Sequence, residues 1–147
     1  VLILPSSVPP GVVQSVDAPR LDYPLLAEAL DGRLLFPSRR GPVARAEERA
    51  AFDLRQAISA ARAGRDTSVY VSLSERVGLP LALLLRRRKD APPHVLVAHH
   101  LTSARKRTLQ TLLRWLDGFA TVVVPCAPQE RYLLDEAGVA PARVRRV

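Results

Sequence analysis

The chain has 147 residues, 22 of them basic and 14 acidic, for a formal charge of +8. A chain of this length buries roughly two thirds of the surface its unfolded form exposes, so a single domain can hold a core without disulfides or a structural metal. The lone Cys126 excludes an internal disulfide and a Cys-based zinc cluster, and 48% hydrophobic with 24% charged residues excludes a disordered or collagen-like chain.

Val1-Leu2-Ile3-Leu4-Pro5 is a continuous apolar run closed by a turn former, the pattern of a parallel strand covered on both faces. It lacks the basic flank and cleavage site of a signal peptide, and the chain begins without Met, so a fragment or processed product is expected. A long connection follows, Ser6 to Leu21, with Pro9, Pro10, Gly11 and Pro19. Tyr23 to Leu30 has helical spacing, Leu34-Leu35-Phe36 reads as a second strand, and Pro37 to Pro42 is a second unusual loop. Further helical spacing covers Val43 to Ala63, Glu75 to Arg88, Ser103 to Leu116 and Pro128 to Ala137. Strand-like runs alternate with these at Ser68 to Val71, His94 to Ala98 and Phe119 to Val124, and a sixth begins at Val144.

Gly64, Gly118 and Gly138 follow helical runs, where a left-handed cap residue is expected. The strand, helix, strand alternation predicts one α/β domain, a Rossmann-like doubly wound parallel sheet with helices on both faces. The longest apolar run, Val77 to Leu85, carries Gly78 and Pro80 and falls short of the roughly 20 residues of a membrane span.

Several signatures of this architecture are missing. The first strand runs into Ser6-Ser7-Val8-Pro9-Pro10-Gly11, neither a dinucleotide fingerprint nor a Walker loop. No acidic residue closes a strand, as a magnesium-binding receiver domain would require, and no nucleophile elbow is present. Self-contained enzyme readings lose weight accordingly.

Four features carry chemistry. His99-His100 stands at the carboxyl end of a strand, the edge where open α/β sheets bind ligands, and adjacent residues there point in different directions. Glu75, after the third strand, has two readings: a first-turn carboxylate favoured by the helix dipole behind an N-cap Ser74, or an acceptor for a hydroxyl-rich ligand. Arg20 is either a solvated loop residue or a bidentate clamp for an anion, and Asp22 either an N-cap or a binding residue. Arg86 to Lys89 ends a helix favourably, whereas Arg105-Lys106-Arg107 begins one against the dipole and calls for something anionic to offset it. No base is identifiable to activate Cys126, which reads as a buried or capping thiol.

Taken in order, these segments resemble the N-terminal domain of GT-B glycosyltransferases, in particular the family 4-like group. The resemblance rests on Val122-Val123-Val124-Pro125-Cys126-Ala127-Pro128-Gln129-Glu130-Arg131-Tyr132-Leu133-Leu134 with Gly138-Val139 and Arg143-Val144, on Pro19 to Tyr23, and on Val95 to His100. Cys126 departs from it, standing where the family usually has Ser, which weakens the helix cap.

The resemblance implies the acceptor-binding half of a retaining enzyme that uses a nucleotide-sugar donor and generally needs no bound metal or other cofactor. The family's histidine near the transferred sugar maps to His99, with His100 one register away, and its role would be to orient the sugar and support developing charge. Arg20, Asp22, Glu75 and His100 are the expected substrate-binding residues. The donor-binding Gly-rich loop and paired glutamates belong to a C-terminal domain absent from the chain, so the 147 residues alone are expected to be inactive.

Expected partners are a sugar acceptor (glycan, lipid-linked or small molecule), the missing C-terminal domain and an anionic membrane surface. The expected location is cytoplasmic, peripheral at the inner membrane face. Nucleic acid is not an expected partner, because only 5% of the residues are aromatic and few stacking platforms exist. The rival reading is a stand-alone α/β binding module whose basic faces meet anionic lipid or nucleic acid.

Overall fold

Six short strands lie side by side, each neighbouring pair parallel: β1 (Leu2–Leu4), β2 (Arg33–Leu34), β3 (Tyr70–Ser72), β4 (His94–Val97), β5 (Thr121–Val124) and β6 (Val144–Arg146). Their order across the sheet is β2-β1-β3-β4-β5-β6. The computed structural model describes residues 1–5, 23–38 and 41–147, apart from the side chain of Arg65. The chain is thus an α/β domain with a Rossmann-like, six-stranded parallel sheet. Parallel neighbours need a crossover between them, and the helices supply it. They are α1 (Tyr23–Ala29), α2 (Pro42–Ala50), α3 (Leu54–Ala63), α4 (Glu75–Leu85), α5 (Ala104–Leu113) and α6 (Ala127–Arg131).

Among the described residues, the two faces of the sheet are covered unequally. On one, Leu2, Leu4 and Tyr70 pack on Ala57 and Ala60 of α3 and on Val77, Leu81 and Leu85 of α4. The same side continues through Leu96, Val122, Val124 and Val144 to Trp115, Leu116, Phe119 and Leu133. On the other, Ile3, Val71 and Leu73 meet Tyr23, Leu26 and Ala27 of α1, and Val95 and Val97 are only half-buried. His94 belongs to the thicker layer. Its Nε2 lies 2.8 Å from Ser72 Oγ and its ring centroid 4.4 Å from that of Phe119, and burial pushes its pKa down to about 3, so the imidazole is neutral.

Two helix boundaries differ from the sequence expectation for a tertiary reason. The single run from Val43 to Ala63 is broken: Ala51 turns left-handed at φ 53° and closes α2, and α3 restarts after Asp53. The break lets Phe52 reach the core and Asp53, 2% exposed, reach the guanidinium of Arg76 at 3.3 Å. Helix α5 stops at Leu113 because Arg114 is left-handed at φ 45°, which folds Trp115 and Leu116 into the core through a 3-10 turn. Beyond α6 the chain widens into a π-type turn at Tyr132–Glu136.

Of the three glycines, Gly138 is left-handed (φ 67°), whereas Gly64 and Gly118 are not. Gly64 answers a close approach instead, since a Cβ there would fall 1.4 Å from the Tyr70 hydroxyl oxygen.

Helix α4 contains Pro80, which has no N–H to return to the carbonyl of Arg76 one turn earlier. The backbone N–H of Asp53 takes that place, donating to Arg76 O at 2.9 Å.

Candidate functional site

The carboxyl ends of β3 and β4 meet two helix starts. After β3, the N–H of Leu73 donates to Leu4 O of the neighbouring strand, and the chain turns at Ser74. Ser74 is extended, and its Oγ accepts from the N–H of Arg76 at 3.1 Å, an N-cap of the kind that makes serine favourable before a helix. Glu75 therefore falls in the first turn of α4, with its carboxylate near the positive end of the dipole. It is 4% exposed.

Both oxygens of Glu75 are engaged. Oε1 accepts from the N–H of His99 at 2.7 Å and of His100 at 2.6 Å, and Oε2 lies 3.4 Å from Lys106 Nζ. Burial alone would raise the carboxyl pKa, but the His100 N–H, the Lys106 ammonium and the His99 N–H together outweigh it and hold the group below the ordinary carboxylate value. Glu75 is a fixed anion whose charge is spent on the chain. A hydroxyl-rich ligand reaching Oε2 has to displace Lys106.

The segment these bonds hold is the loop after β4. The sheet ladder ends where the N–H of Ala98 donates to Val123 O at 2.8 Å. From there side chains replace backbone as partners. Gln129, at the start of α6 and 7% exposed, donates from Nε2 to His99 O at 2.7 Å and accepts at Oε1 from the N–H of Leu101 at 3.2 Å. Lys106 Nζ donates to His100 O.

The two histidines of the loop are both exposed, but their rings are placed differently. His99 Nε2 lies 3.2 Å from Leu73 O, so its ring leans from β4 across the end of β3. A carbonyl only accepts, so this contact places a proton on Nε2, and in the neutral tautomer that satisfies it Nδ1 is the hydrogen-bond acceptor. Strand β3 flanks the reversal in strand order at β1, the edge at which open parallel sheets form a crevice. Glu75, His99 and His100 are thus brought together, while Arg20 and Asp22 lie outside the described residues.

Two of the three cations at the start of α5 meet carboxylates within the protein and the third meets an aromatic ring. Lys106 meets Glu75, Arg107 pairs with Glu136 at 2.8 Å, and the Arg105 guanidinium lies 4.7 Å from the centroid of the Phe52 ring. At the other end of the sheet, Arg86 and Arg88 donate to the carbonyls of Leu113 and Ala61. Cys126 occupies the N-cap position of α6, half-buried, with its sulfur 3.7 Å from Gln129 Nε2 and no capping bond from its side chain.

Gln129, Lys106 as a partner of Glu75, and the Arg76–Asp53–Glu48 ion network were not legible as site residues in the sequence. The one available signal was the glutamine three positions after the N-cap Cys126, the spacing of a capping box. Here its amide reaches outward to the neighbouring loop. Among the described residues, no group of three or more His, Cys, Asp or Glu side chains is placed to hold a metal ion. No helix among them is long and apolar enough to cross a membrane. Three open surface cavities, the largest of them about 560 Å³ beside Gly41, Pro42 and Arg45, are lined by neither Glu75 nor His99.

Comparison with family models, with curated proteins and with solved structures returned no match to this chain.

Proposed function

We propose that the chain is the acceptor-side domain of a retaining GT-B glycosyltransferase, with His99 as the side chain that contacts the transferred sugar. One observation carries this reading: the His99 ring is exposed at the carboxyl edge, anchored through Nε2 to Leu73 O. In the neutral tautomer its Nδ1 is then an acceptor held in place, which suits a sugar hydroxyl. A pre-oriented acceptor of this kind contributes to transfer by positioning, because a hydroxyl bound to it loses rotational freedom before reaction. His100 and Glu75 act in this reading through the loop, while the donor nucleotide-sugar is bound by a second domain.

The test is transfer from nucleotide-sugar donors by the complete gene product, compared with His99→Ala and His100→Ala. Turnover should fall on the order of a hundredfold for His99→Ala at nearly unchanged stability. A wild-type rate in that variant removes His99 from the site, and a larger loss in His100→Ala transfers the role to its neighbour.

The second reading, a binding module for anionic lipid or nucleic acid, has the +8 charge in its favour. Binding to a phosphate backbone should weaken steeply with ionic strength, whereas recognition of a neutral sugar should not. The pairing of Lys106 and Arg107 with Glu75 and Glu136 reduces the charge available at that end.

A further inference from the structure

The loop after β4 carries two adjacent histidines, and something has to decide which ring turns toward the crevice. Glu75 binds the N–H groups of both and so does not distinguish them. Lys106 holds only the carbonyl of His100, from an exposed side of the loop. Among the described residues, Gln129 is the side chain that bonds on both sides of His100: its amide group bonds His99 O on one side and the N–H of Leu101 on the other.

We infer that Gln129 is the positioning residue that sets the register of this loop and turns the ring of His99, rather than that of His100, onto Leu73 O. The inference rests on reading His99 as the sugar contact, and it assigns Gln129 no contact with any ligand.

The chemistry of the side chain explains why glutamine stands there. The two loop groups are a carbonyl, which needs a donor, and an N–H, which needs an acceptor, and a primary amide supplies both in one plane. A glutamate of the same length has only acceptors when ionised and would set a negative charge against His99 O. An alanine leaves both loop groups, next to a buried position, without partners. The amide is carried by α6, which two residues separate from the end of β5, so a short connection ties the anchor to the sheet.

Nitrogen and proton NMR of the histidine rings in this chain tests the inference, with the buried His94 as internal reference. Measured on the neutral form of the ring, the Nε2 proton of His99 in the parent chain should be protected from exchange and Nδ1 should show the signature of an unprotonated nitrogen. Gln129→Ala should lose that protection by about fivefold, the population change produced by one hydrogen bond of ordinary strength. His94 should remain unchanged.

Gln129→Glu keeps the length and the favourable helix start, so it folds if the alanine variant does not, and it should lose the protection as well. Retention of the His99 signature in a folded Gln129→Glu variant overturns the inference. Loss of the signature alongside a wild-type transfer rate in the complete gene product keeps Gln129 as the positioning residue and overturns the reading of His99 instead.

Discussion

Glu75 and His99 meet through the main chain: the carboxylate Oε1 of Glu75 accepts the backbone N–H of His99 at 2.7 Å, while the imidazole is bound to Leu73 O. The carboxylate therefore shapes the loop and leaves the ring exposed.

Removing that carboxylate should be costly. Glu75→Ala strands the N–H groups of His99 and His100 and leaves Lys106 without its anion, a loss expected at about 2–4 kcal/mol in denaturant unfolding. Amide exchange at both positions should accelerate together. Unchanged exchange at His99 and His100 would show that the loop holds its form without Glu75. Because the folded carboxyl is held below its ordinary value, its stabilisation is complete above the unfolded pKa and is lost as pH falls through the lower folded value.

His94 produces a separate pH dependence. Its ring is neutral and buried, with a folded pKa of about 3 against 6.5 when unfolded, so the unfolded chain binds the extra proton throughout that window. Stability is full above the upper value and falls as pH decreases, with a slope of up to about 1.4 kcal/mol per pH unit. Replacing both partners, His94→Phe with Ser72→Ala, should flatten unfolding free energy between pH values of about 6.5 and 5, above the range where Glu75 titrates. A slope identical to that of the parent chain would assign the dependence elsewhere.

Gly64 is held by sterics alone. Gly64→Ala places a Cβ 1.4 Å from the Tyr70 hydroxyl oxygen and 2.4 Å from Cζ, in a fully buried ring environment. The expected destabilisation is about 1–3 kcal/mol, the usual range for overpacking. Adding Tyr70→Phe removes the nearest clash and not the second, so the double variant should recover part of the loss in thermal unfolding. Strict additivity of the two substitutions would mean that the helix end shifts away from the ring.

Pro80→Ala tests the borrowed bond in α4. The new N–H would compete for Arg76 O, now bound by Asp53 N–H, so the exchange rate of the Asp53 amide should rise. An unchanged rate would show that the carbonyl serves both donors.

The strands were legible because parallel strands covered on both faces read as apolar runs, and β1, β4 and β5 sit inside the runs that announced them. The breaks at Ala51 and Arg114 were not, since both are left-handed turns at residues with no such preference. The burial of their C-terminal neighbours fixes them: Phe52 and Asp53 in one case, Trp115 and Leu116 in the other. The edge carrying His99 was legible from its place at a strand end. Its support was not, because Glu75, Gln129 and Lys106 act on backbone atoms of the 99–101 segment, and a backbone partner has no residue type to announce it.

The proline in α4 also bears on how the fold is assembled. A helix interrupted in this way cannot complete its hydrogen bonding from its own residues, and its missing donor belongs to the corner between α2 and α3. That corner precedes α4 in the chain, so the donor is synthesised before its acceptor. Helix α4 completes its hydrogen bonding only when this corner is docked on it.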